Sequence, residues 1–208
     1  MESSPVHAWR ALGQLKALEA LKPILGLLAN RDDDWISGDF PTLCTLIGLE
    51  AIPLLKEFLA DAANDLYARI DAAQGLEAIS HEYPETRESS VAAIVGELDK
   101  FRANDPTFNA LLICLLIDLE AVETIKTIEQ AFKANRVDVF VTGHWADIQV
   151  EFGLKTRDEV QSRLFSSNPI WNPLFDSTPQ VKSSKGFGSN QSQTKKKKSR
   201  KSSGKKKK

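Results

Sequence analysis

Residues with reactive or ligating side chains are few and scattered along the chain. Three histidines, His7, His81 and His144, could hold a metal or move protons, but none has a cysteine or second histidine at zinc-ligand spacing. Cys44 and Cys114 each lie inside an apolar run, where a thiol serves as a small buried hydrophobe. A disulfide framework is therefore not expected, and a reducing, cytoplasmic setting is. The tightest carboxylate cluster, Asp32-Asp33-Asp34, lacks the spacing of a calcium loop and suits helix capping. No phosphate-cradling loop, dinucleotide fingerprint or nucleophile elbow occurs. The expectation is a non-enzymatic protein with no cofactor and no metal. Trp35, in an expected loop between paired helices, and Trp145, after Gly143-His144 in the last pair, either seal a helical hairpin or offer an aromatic anchor to a peptide.

Charge is the stronger signal. The 208 residues carry a formal net charge of −1, which conceals two opposed regions. Val181 to Lys208 hold 12 Lys/Arg and no Asp/Glu, whereas residues 1–180 hold all 28 acidic residues against 15 basic ones. An acidic body thus precedes a basic tail. Its end is the run Lys195, Lys196, Lys197, Lys198, Arg200, Lys201, Lys205, Lys206, Lys207 and Lys208. Such a run cannot bury a core and is expected to be disordered. It suits phosphate polymers through counterion release, so RNA, DNA or a ribosome is the expected contact. The lysine run contains no aromatic residue, which argues against base stacking. Folding over the acidic body is the competing use of the same charges. No apolar stretch is long enough to span a bilayer, and MESSPVHAW lacks the pattern of a signal peptide.

These residues have to be positioned by helices. Apolar residues recur at three- and four-residue spacing: Trp9, Leu12, Leu15; Ile24, Leu25, Leu28; Ile52, Leu55, Phe58, Leu59. The pattern predicts helices over about 6–17, 19–29, 39–47, 50–61, 65–80, 85–103, 106–118, 119–134, 143–153 and 157–165. Val137 to Val141 alternates as a strand would, but no partner strand is in sight, so it reads as an extended loop or a helix start. A four-residue unit returns at Leu18-Glu19-Ala20-Leu21, Leu49-Glu50-Ala51-Ile52, Leu76-Glu77-Ala78-Ile79 and Leu119-Glu120-Ala121-Val122. Its spacing averages about 34, within the range of helical-hairpin repeats. The expected fold is all-α, an α-solenoid of about four hairpins over residues 1–164. A Ser/Asn/Pro/Gly-rich linker over 165–194 and the tail over 195–208 follow it. Within the linker, Pro169 to Phe175 is apolar enough to pack back onto the last helix.

From Asp65 to Leu76, Asp65 and Arg69 share a helix face, and Ala72, Ala73 and Gly75 allow a neighbouring helix to approach. This segment resembles the HEAT-like repeat of the phycobilisome-lyase type. Asp34-Trp35, Phe40-Pro41, Ile47-Gly48, Ala51 to Leu55, Tyr67-Ala68-Arg69 and Trp145-Ala146-Asp147 resemble a bacterial HEAT-like family of unknown function, the DUF1186 type, over roughly residues 7–154. Some of its members carry a C-terminal cysteine-rich SEC-C zinc motif; no cysteine follows Cys114 here, so that module is lacking. The resemblance implies a fold and a binding role. On it, the helices near 39–47, 65–80, 106–118 and 143–153 line a concave, acidic face that takes a basic or polar segment of a protein partner. Trp35, Asp65, Arg69 and Trp145 are the candidate contacts. The alternative it suggests is an accessory factor in phycobilin or cofactor attachment, with a chromophore in the groove. Residues 6–17 read as the second helix of a pair whose first helix is missing.

Overall fold

The computed structural model describes residue 9, residues 11–28 and residues 34–166, with the side chains of all of these except 34–37 and 162–166. The described residues belong to one compact unit, Met1–Ser166. The expected linker, its Pro169–Phe175 segment and the lysine run lie outside the described residues, apart from the first two linker positions, which are helical.

Every regular element among the described residues is helical. Ten α-helices follow one another: α1 Leu18–Leu28, α2 Asp34–Ile47, α3 Ile52–Ala60, α4 Leu66–Glu82, α5 Arg87–Leu98, α6 Pro106–Asp118, α7 Ile125–Lys133, α8 Val139–Thr142, α9 Trp145–Glu151 and α10 Arg157–Ser166. Consecutive helices pack in pairs, and alternate helices lie against each other. One row is α1, α3, α5 and α7; the other is α2, α4, α6 and α8. Ahead of them, residues 11–14 are helical, and Gly13 lies against Leu43 and Leu46 of α2. That placement matches a helix of the second row.

The boundaries follow from local chemistry. Asp65, Asp105 and Asp138 each cap a second-row helix by accepting from backbone N–H groups two or three residues on. These bonds satisfy donors that a helix start leaves free. Pro106 takes the first position of α6, where its missing N–H costs nothing. Before α3, α5 and α7 stands one 3₁₀ turn each: Leu49–Ala51, Pro84–Thr86 and Val122–Thr124. Gly48 enters the first of these at φ 86°, a conformation that favours glycine. Thr86 and Thr124 hold the other two by donating to the carbonyls of Tyr83 and Ala121, three residues back.

Several expectations need correction. The repeated unit does not fall at equivalent places: Leu49 to Ile52 spans the turn into α3, Leu76 to Ile79 lies inside α4, and Leu119 to Val122 ends where the turn before α7 begins. The structurally equivalent segments are Leu49-Glu50-Ala51, Pro84-Glu85-Thr86 and Val122-Glu123-Thr124. Residues 119–134 are not one helix, because Glu120 turns left-handed at φ 51° before α7 begins. Val137 to Val141 is a capped helix start, one turn long. The second helix starts at Asp34 rather than 39, so Pro41 is an interior residue and Trp35 belongs to the first turn instead of a loop. Pro23 is likewise interior to α1.

The core runs between the rows. Leu21, Phe40, Leu55, Leu76, Ile79, Phe108 and Leu112 are fully buried in it. α2 lies close against α4, where small residues permit it. A Cβ on Gly75 would stand 2.8 Å from Cys44 Sγ and 3.2 Å from Leu55 Cδ1.

Candidate functional site

The second row has an unusual composition. Across α2, α4 and α6 the only lysine or arginine is Arg69, and it is just 8% exposed. Lys22, Lys56, Arg87 and Lys126 sit on first-row helices. Of the second-row carboxylates, Asp118 is exposed, Glu77 is partly exposed and Asp71 is buried. Between α2 and α4 opens a cleft of about 550 Å³, lined by Gly38, Pro41, Asp71, Gln74, Glu77, Ala78 and His81. Asp71, Gln74, Ala78 and His81 recur at three- and four-residue intervals and so form one stripe along α4. Over ten residues that stripe is about 15 Å long.

Electrostatics extend the cleft to α6. Burial raises Glu77 above its ordinary value, and the charge of Asp118 on α6 raises it further. His81, whose Nε2 is 3.5 Å from Glu77 Oε1, opposes that rise. Cys114 is likewise pushed up, first by burial and then by Asp118. A thiol held protonated in this way is a poor nucleophile. Cys44 is raised by burial against α4 and is a packing residue. Among the described residues no three His, Cys, Asp or Glu side chains are grouped to hold a metal ion. The face can accept hydrogen bonds and offer negative charge, and it has small residues that let a chain approach.

Of the four predicted contact residues, Asp65, Arg69 and Trp145 do not line that cleft. Asp65 caps α4, accepting from Tyr67 N at 3.0 Å and Ala68 N at 3.2 Å. Arg69 turns inward instead of pairing with Asp65. Its Nε donates to the Leu59 carbonyl at 2.8 Å, its Nη2 meets Glu97 Oε2 at 2.9 Å, and its guanidinium lies 4.2 Å over the Phe108 ring. Glu97 is 5% exposed and also receives Lys100 at 2.8 Å. Arg69 thereby ties the end of α3 to α5 and α6. Trp145 opens α9 half-buried, its ring 5.6 Å from that of Phe132 on α7, the hairpin-sealing arrangement. Trp35 is placed in the first turn of α2. Lys195 to Lys208 lie outside the described residues.

Asp71, Glu77, His81 and Asp118 are the residues that sequence reasoning passed over. A signal for them exists in the sequence, because three helices totalling 44 residues contain one lysine or arginine. It becomes readable once the three are known to be neighbours. The chain matches no family model, no curated protein and no solved structure.

Proposed function

We propose that the protein is an α-solenoid of HEAT-like hairpins acting as a non-enzymatic scaffold or adaptor. It binds a protein partner along the second-row face, and its lysine-rich tail makes sequence-independent contacts with nucleic acid or a ribosome. One observation carries this reading: the segregation of charge. Among the described residues the second row leaves Asp118 exposed and Glu77 partly so, with no exposed lysine or arginine, while ten cations crowd the last fourteen residues. A face of that kind selects a basic or polar segment, and a lysine run selects phosphates. Two modest contacts on one chain then raise overall avidity without any reaction.

The experiment is binding of full-length protein to a generic RNA and to duplex DNA across a salt series, beside a full-length variant with the ten tail cations changed to glutamine. Steep salt dependence that the variant loses is the expected result. Failure of the full-length protein to bind either polymer at low salt would remove the tail from the proposal. For the groove, a labelled lysine-rich peptide should bind the variant and weaken with Glu77→Gln/Asp118→Asn. Equal binding after those substitutions would refute the face.

A further inference from the structure

The strength with which each hairpin is attached is uneven. α4 buries ten of its residues and α6 seven. By contrast α7 buries Ile128 and Ala131, α8 buries none, and α9 buries Ile148. Phe140 of α8, the residue best suited to anchor it, is 98% exposed. Polar bonds hold this end in place. Arg87, at the start of α5, donates to the Leu119 carbonyl at 2.8 Å, to the Glu120 carbonyl at 3.0 Å and to Glu123 Oε1 at 2.9 Å. Asn109 of α6 donates to the Arg136 carbonyl at 2.7 Å, and Arg136 in turn reaches back to the Asn104 carbonyl. Asp138 N–H donates to the Pro106 carbonyl at 3.2 Å, and Thr107 Oγ1 donates to Asp138 Oδ2 at 3.2 Å.

Polar bonds of this kind exchange for water at little net cost, whereas buried apolar area does not. The connections on either side of α7 both turn left-handed. Glu120 and Asn135 stand at φ 51° and 54°, a region that asparagine tolerates and glutamate seldom occupies. Rearrangement at Glu120 would relieve a conformation that its side chain disfavours.

We propose that α7, α8 and α9 open together as one unit while the three preceding hairpins stay folded, with Arg87 as the clasp and Glu120 and Asn135 as the hinges. Opening uncovers the side of α6 that meets α8. It also removes the last member of the second row, so the length of the candidate binding face changes with it. The device is conformational and needs no ligand to exist. It supplies a low-energy state that any partner of this end could select.

Native-state hydrogen exchange on the full chain tests this, read by mass spectrometry over peptides of α4, α6 and α7–α9. Amides of 125–133 and 145–151 should exchange together and at least tenfold faster than those of 66–82. Arg87→Ala should speed the first group about tenfold and leave it well ahead of the second; Arg87→Lys, a milder change, should speed it by less. Glu120→Gly should slow the first group several-fold, because glycine accepts the left-handed conformation more readily than glutamate does. Uniform exchange across all helices, in the parent protein or the variants, would show a single cooperative unit and overturn the proposal.

Discussion

The contact of α2 with α4 and the contact of α8 with α6 join neighbouring helices of the same row by different physics. At the first, Gly75 admits Cys44 and Leu55, and Ala72 and Ala73 are fully buried, so the backbones meet across apolar atoms. At the second, Thr107, Asn109, Arg136 and Asp138 trade hydrogen bonds, and no residue of α8 is buried. Close packing is sensitive to volume and indifferent to salt or pH. Polar clasping has the opposite sensitivities. One molecule therefore has a rigid end and an adjustable end.

The largest effect that would sharpen this contrast is expected at Arg69, which joins the two regions. Arg69→Ala leaves Glu97 buried with only Lys100 beside it, at a cost of about 3 kcal/mol in urea denaturation. Lysine at this position should not restore the loss, since it lacks the forked geometry that serves the Leu59 carbonyl and Glu97 together. Next is Gly75→Ala, expected to cost about 1–3 kcal/mol by overpacking. Cys44→Ala in the same chain should recover part of that cost, and the recovery is readable from the two single variants and the double one. A Gly75→Ala protein of unchanged stability would break the claim that this joint is close-packed. At the other end, Arg87→Ala should cost only about 1 kcal/mol, because its bonds are partly solvated.

pH separates the ends further. Hydrogen bonding from Arg87 holds Glu123 below its ordinary value. The stability it contributes is present above the ordinary glutamate value of about 4.3 and is lost as pH falls through the lowered folded-state value. Arg87→Ala should accordingly flatten the acid limb of a stability–pH curve. Glu77 has the opposite sign. Burial and Asp118 raise its folded-state value, so its contribution is complete below about 4.3 and is lost as pH rises through the raised value. Glu77→Gln should make the protein slightly more stable at neutral pH. A loss there would mean that its interaction with His81 outweighs burial and Asp118. The smallest effect is assigned to Phe140→Ser, within about 0.5 kcal/mol, since an exposed side chain has little packing to lose.

Much of the helix order was legible before any coordinates. Asp65, Asp105 and Pro106 mark helix starts through bonds made within three residues, and Gly48 marks an end through its own backbone angle. The repeat was harder to read. The three 3₁₀ turns before α3, α5 and α7 read Leu49-Glu50-Ala51, Pro84-Glu85-Thr86 and Val122-Glu123-Thr124, which share a glutamate and a small buried residue but little else. Leu76-Glu77-Ala78-Ile79 copies the letters without the turn, because a helix interior favours the same residue types. Arg69 shows the other limit. Four residues from Asp65, it has a partner available in sequence, and the fold supplies a better one in Glu97, which comes from a separate helix.

The sequence alone determined where several helices begin, that apolar faces recur along them, and that a basic run follows an acidic body. Those properties arise from bonds and periodicities that span a few residues, or from composition. Tertiary structure decided which charged groups are internal and which remain at the surface. Arg69 and Glu97 are buried as a pair, while Glu77 pairs with His81 on α4 and feels the charge of Asp118 on α6. Residues 77 and 118 come together only when hairpins stack, and Coulomb interaction depends on distance through space, which no local pattern encodes.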